Sequence, residues 1–238
     1  MKCFLASNPF IVWTDNLNPA NGFVSELQRC WPKDARGLYI CSDPSDGAGV
    51  DEYAAIVRRA FEKSGMLFSS FETLDGRNRD AASSLVSGAS FIFLTGGHVP
   101  TQNRFFQDIK LAELMSSFDG IVVGLSAGSM NCASVVYAQP EEEGEALNPE
   151  YKRFIPGLGL TDTMLLPHYE SYKDFYLDGL RVYEDITYPD SMGRTFYAIP
   201  DGSYLIVDGD HEEIRGEAYR IRNGVLKKVS DLGGKLVL

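Results

Sequence analysis

Through the first half of the chain, short apolar runs alternate with segments of helical periodicity, and that alternation restricts the fold to parallel βαβ units. Candidate strands are Lys2 to Ala6, Gly37 to Cys41, Met66 to Phe71, Ser90 to Leu94 and Gly120 to Val123. The clearest helix runs from Asp51, as N-cap, to Ser64, with Tyr53, Ile56, Val57, Ala60 and Phe61 at helical spacing and Gly65 as the stop. Further helical segments are expected near Asn21 to Cys30, Arg79 to Ser87 and Thr101 to Met115. A sheet of this kind binds ligands beyond the carboxyl ends of its strands. Later in the chain the rhythm changes. Gln139-Pro140-Glu141-Glu142-Glu143-Gly144-Glu145 is a charged, turn-rich stretch that reads as a solvated surface loop near the rim of a site. It could attract a free amino terminus, although solvation alone accounts for such a run. An apolar run, Met164 to Leu166, leads to Pro167-His168, and a helical region is expected around Tyr172 to Tyr183. From Thr195 onward short antiparallel strands are punctuated by turns at Gly202, Asp208-Gly209 and Asn223-Gly224. No repeat or linker divides the 238 residues, so residues 1–238 are expected to form one α/β domain: a mainly parallel sheet flanked by helices, with a C-terminal antiparallel extension.

Charge narrows the partners. Twenty-two basic residues against thirty-three acidic ones leave a net charge of −11, which argues against nucleic acid or an anionic membrane as the main partner. Neither a signal-peptide pattern nor a membrane-length apolar stretch is present. Cys3, Cys30, Cys41 and Cys132 lack metal-site or framework spacing and read as small buried residues of a reducing compartment, so the cytoplasm is the expected location. A homodimer remains open.

The chemistry-bearing motif is Gly124-Leu125-Ser126-Ala127-Gly128, placed directly after the apolar run Ile121-Val122-Val123. A serine between small residues where a buried strand passes into a helix is the sequence form of a nucleophile elbow. The plainer reading is a tight strand-helix junction. A serine hydroxyl needs an adjacent base, itself oriented by a third group. Three histidines are available. His211, among Asp208, Asp210, Glu212 and Glu213, reads as a solvated hairpin residue. His168 is favoured as the base because its strand follows the elbow and could lie beside the elbow strand; His98, in the preceding βα unit, is placed to line the pocket. The acid stays open on residues alone. Asp201, on the turn after Ala198-Ile199-Pro200, is equally an ordinary Asp-Gly turn, with Glu170 and Asp162 as local competitors. Gly96-Gly97 lacks a phosphate-loop pattern, so the amides of Gly97 and Ala127 are expected to form an oxyanion hole.

At these residues the chain resembles the peptidase E (aspartyl dipeptidase) family of serine peptidases, within a superfamily that includes cyanophycinase. The resemblance rests on Ser7-Asn8 after the first strand, Gly96-Gly97, the elbow Gly124 to Gly128, Pro167-His168 and Pro200-Asp201-Gly202, all in the family's order. It implies a flavodoxin-like fold, hydrolysis of short peptides without metal or organic cofactor, and a triad that maps onto Ser126, His168 and Asp201. Peptidase E commonly has Asn and Glu where this chain has His98 and Asp201. The family's aspartyl preference is associated with an arginine downstream of the histidine, for which Arg181 and Arg194 are the candidates. The alternatives are a non-peptide acyl hydrolase, an amidotransferase-like enzyme, or a non-enzymatic binding module. Amidotransferases of related architecture carry Cys at the elbow, whereas Cys132 lies beyond it.

Overall fold

The computed structural model describes all residues from Met1 to Leu238. In chain order, β1 (Lys2–Ala6), α1 (Phe23–Cys30), β2 (Ala35–Ile40), α2 (Gly47–Lys63), β3 (Phe68–Leu74), α3 (Ala82–Gly88), β4 (Phe91–Leu94), α4 (Val99–Asp108), α5 (Leu111–Met115) and β5 (Ile121–Leu125) make the parallel half. The short α6 (Ala127–Met130) leads to β6 (Val135–Tyr137), β7 (Phe154–Pro156), β8 (Met164–Leu166), α7 (Tyr169–Tyr172) and a two-stranded hairpin, β9 (Tyr176–Leu177) with β10 (Leu180–Arg181). A π-helical turn (Val182–Thr187) and α8 (Tyr188–Asp190) precede β11 (Thr195–Ala198), β12 (Tyr204–Asp208), β13 (His211–Arg215), β14 (Ala218–Arg222), β15 (Val225–Ser230) and β16 (Lys235–Val237).

Two sheets organise these elements. The large one has the order β16-β13-β12-β1-β5-β4-β2-β3, parallel from β1 to β3 and antiparallel from β12 outward. Its central strands are apolar on both faces because helices cover both: all four residues of β4 and all five of β5 are buried. The smaller sheet, β15-β14-β11-β8, is antiparallel except where β8 runs parallel to β11. It closes over a second apolar cluster, with Tyr137 stacked on Phe196 at 4.4 Å between ring centroids. The mixed sheet with flanking helices is thus the α/β arrangement expected from the alternation, with its antiparallel extension. No helix is long and apolar enough to cross a membrane.

Three local expectations are corrected. The helix assigned to start at Asp51 begins at Gly47, because the Asp46 carboxylate accepts from the Gly49 N–H and caps it one turn earlier. The segment Thr101 to Met115 is two helices, divided where Lys110 adopts the left-handed conformation. The stretch Tyr172 to Tyr183 is not a helix: after α7 it folds into the β9-β10 hairpin around Asp178 and Gly179, both at positive φ, before the π-helical turn.

Candidate active site

Ser126 stands at the carboxyl end of β5 with φ 50° and ψ −112°, a strained backbone that points its hydroxyl away from the sheet. Its N–H is shared between the carbonyls of Ala6 and Ser7, each at 3.1 Å, which pins the turn to the neighbouring strand β1. The turn is this sharp because α6 packs directly on β4. A Cβ on Gly128 would lie 2.2 Å from the Leu94 carbonyl oxygen, so only glycine fits.

His168 Nε2 lies 2.9 Å from Ser126 Oγ, and His168 Nδ1 lies 2.7 Å from Asp201 Oδ1. The imidazole does not come from a strand beside the elbow strand, as expected. It comes from the smaller sheet: β8 ends at Leu166, β11 ends at Ala198, and these parallel neighbours deliver His168 and Asp201 to the same edge. The reason is that β1 and β4 already occupy both sides of β5. Glu170 accepts nothing from the imidazole; its carboxylate instead accepts from the Asp201 N–H at 2.8 Å and steadies the turn. Asp162 is exposed and His211 lies exposed at the start of β13.

Sequence reasoning assigned Ser7 and Asn8 no role beyond their position after the first strand. In the structure the Ser7 hydroxyl, fully buried, accepts from the His168 N–H and donates to Asp201 Oδ1, both at 2.8 Å. The Asn8 amide donates to Asp201 Oδ2 at 3.1 Å. Burial alone would raise the Asp201 carboxyl, but the hydrogen bond and charge of His168, with the Ser7 and Asn8 donors, outweigh it and hold the group below the ordinary carboxylate range. An ionised Asp201 can only accept, so it places the imidazole proton on Nδ1 and leaves Nε2 free to take the serine proton.

The amides of Gly97 and Ala127 flank this serine and donate to no protein acceptor. Gly97 has φ +149°, and a Cβ there would lie 2.5 Å from Ser42 Oγ. Two cavities open on Ser126, His168 and Gly97. One, about 350 Å³, is walled by Tyr39, Tyr53, Asp43 and Asp46. The other, about 250 Å³, is walled by Met130, Gln139, Glu141 and Tyr172.

The remaining expected site residues are elsewhere. His98 does not line the pocket: it bonds Thr101 Oγ1 through Nδ1 at 2.7 Å and Glu145 Oε1 through Nε2 at 2.8 Å, clamping the acidic loop onto the start of α4. That loop is accordingly no free surface run, because Glu141 Oε1 accepts from the Val99 N–H and Glu145 Oε2 accepts from the amides of Glu141 and Glu142. Arg181 is exposed and paired with Asp185, and the exposed Arg194 guanidinium sits 4.1 Å over the Phe154 ring; neither lines a cavity at Ser126. His98, Glu142 and Glu145 could bring three metal-ligand atoms together, but both Glu145 oxygens and both His98 nitrogens are already engaged in hydrogen bonds. Cys132 is fully buried, bonded to the Gly128 carbonyl, with its thiol pushed up by burial, and is no nucleophile.

A family model, Peptidase family S51, matches residues 35–215, which include the elbow, Pro167-His168 and Asp201. The chain belongs to peptidase family S51, the peptidase E family. It is therefore a serine-type peptidase, a hydrolase. Solved structures support the fold of this S51 peptidase. A peptidase from an acI-B1 Actinobacterium is similar to it with a TM-score of 0.68 at 15% identity, over 100% of this chain and 96% of that one. A peptidase E candidate from Listeria monocytogenes EGD-e is similar with a TM-score of 0.58 at 16% identity, over 96% of this chain and 98% of that one. No curated protein matches the sequence significantly.

Proposed function

We propose that this S51 peptidase hydrolyses short peptides through a covalent acyl-enzyme formed on Ser126. The observation that carries the reading is the unbroken hydrogen-bonded path from Ser126 Oγ through His168 to Asp201, at 2.9 and 2.7 Å. Ser126 Oγ attacks the scissile carbonyl while His168 Nε2 takes its proton. The amides of Gly97 and Ala127 receive the charge that develops on the carbonyl oxygen, at the start of α6, where the helix end adds a favourable field. His168 then protonates the leaving amine, which departs. Water attacks the acyl-enzyme with His168 as base, and Asp201 stabilises the imidazolium in both halves.

The size of the clefts supports short substrates. Cavities of about 350 and 250 Å³, at and just below the small end of ligand clefts, about 300–1,000 Å³, are sized for one or two side chains beside the serine. Cleavage after aspartate draws no support from Arg181 or Arg194, which line neither cavity.

Reaction with a fluorophosphonate probe and turnover of a dipeptide library test the proposal together. Wild type should label at Ser126 and release free amino acids; Ser126→Ala should do neither while melting as wild type does. Unchanged hydrolysis by Ser126→Ala overturns the reading.

A further inference from the structure

The two cavities that meet at Ser126 are lined by three carboxylates, Asp43, Asp46 and Glu141, and by no lysine or arginine. Asp43 and Asp46 have local work: Asp43 Oδ1 accepts from the N–H and hydroxyl of Ser45, and Asp46 caps α2. Glu141 differs. Its Oε1 accepts one backbone amide, from Val99, at 3.0 Å, while Oε2 accepts from no protein group, and no basic side chain pairs with it because His98 is bonded to Glu145. The half-buried carboxyl is raised above its ordinary value chiefly by that burial. A carboxylate with one oxygen held and the other unpaired, on a residue that lines a cavity beside Ser126, is a group short of a donor.

The position is fixed. Glu145 receives the N–H groups of Glu141 and Glu142, and the Asp178 carboxylate receives those of Gly144 and Ala146, so the loop is tied at both ends. Tyr172 adds an aromatic wall to the same cavity, a surface on which a cation is tolerated. An acidic substrate side chain would meet Glu141 with like charge and find no arginine to offset it.

Resting on the proposed hydrolytic role of Ser126, we infer that Glu141 is the specificity-determining residue of this peptidase and selects peptides that carry a positively charged group, an α-amine or a basic side chain, next to the scissile bond. The bond donated to Oε2 by an ammonium or guanidinium would replace the missing partner and hold the substrate carbonyl against the Gly97 and Ala127 amides.

The test measures kcat/KM for wild type, Glu141→Gln and Glu141→Lys on matched short peptides, with fluorophosphonate labelling and a thermal melt as controls. The matched peptides compare lysine with norleucine, a free with an acetylated amino terminus, and each with an aspartyl counterpart. Wild type should favour the cationic member, and Glu141→Gln should lower the cationic-to-neutral ratio by about 10- to 100-fold, the range for a lost hydrogen bond to a charged group. Glu141→Lys should reverse the order in favour of aspartyl peptides. If acetylation removes the preference the recognised cation is the amino terminus; if norleucine removes it, the side chain. A wild-type preference for aspartyl or neutral peptides, or a ratio unmoved in Glu141→Gln, overturns the inference while labelling of Ser126 leaves the hydrolytic reading standing. Absence of both labelling and hydrolysis in wild type removes the hydrolytic reading, and this inference with it.

Discussion

Replacing Ser7 by alanine removes one oxygen that touches neither the nucleophile nor any cavity, yet two members of the site depend on it. Ser7 is fully buried, accepts from the His168 N–H and donates to Asp201 Oδ1, each at 2.8 Å. Alanine leaves the His168 N–H without its acceptor and takes a donor from an ionised carboxylate. A buried donor left unpaired costs about 1–3 kcal/mol and a hydrogen bond to a charged group is worth about 1.5–3 kcal/mol, so the combined loss is about 2.5–6 kcal/mol. For a chain of this size that corresponds to a fall in Tm of about 5–25 °C. His168 sits in the left-handed region, φ 55°, where its backbone depends on such anchors, so the imidazole shifts and kcat falls about 10- to 100-fold with KM nearly unchanged. A purely structural role would not move the acid limb of stability, and this substitution should. Asp201 titrates below its unfolded value, so its contribution is present above the unfolded pKa and is lost as pH falls through the folded pKa. Without the Ser7 donor the folded pKa rises toward the unfolded one, so Asp201 contributes less stability at neutral pH and the gap between variant and wild type narrows as pH falls through the acid range. Denaturant melts of both proteins from neutral to acid pH, with kcat and KM on one peptide, measure all three effects. A variant with wild-type kcat and an unshifted acid limb would refute the assignment of Ser7 as the residue that positions base and acid.

Two further substitutions probe the same chemistry. Asp201→Asn should lower kcat by about 10³- to 10⁴-fold, because an amide can donate to Nδ1 and so favours the tautomer in which Nε2 carries the proton; fluorophosphonate labelling of Ser126 should slow in parallel, and rapid labelling would count against the acid's role. Gly97→Ala places a methyl 2.5 Å from Ser42 Oγ at φ +149°, displacing the amide, and should reduce kcat by about 100-fold with little change in KM, measured by steady-state kinetics on one peptide.

The parallel half of the fold was legible because β4 and β5 are continuous apolar runs and α2 carries Val57, Ala60 and Phe61 at helical spacing, local patterns that tertiary contacts did not override. The smaller sheet was legible as strands but not in its pairing. Nothing local to Met164 to Leu166 says that the strand will pair with Thr195 to Ala198 and not with the elbow strand; that outcome depends on β1 having filled the adjoining place. The same blindness to distance hid the acidic loop. Its composition is that of a solvated run, and its binding partners, His98 and the Val99 amide, lie more than forty positions earlier. Arginines invited assignment by type, yet Arg181 had a partner four residues away in Asp185, a spacing visible in the sequence.

Ser126 belongs to the large sheet, whereas His168 and Asp201 follow strands of the small one, whose outer strands end at Ser230. His168 follows Ser126 by 42 positions and Asp201 follows His168 by 33 more, so the elbow hydroxyl leaves the ribosome before either of the side chains it is linked to. The two layers must then dock before those side chains can meet.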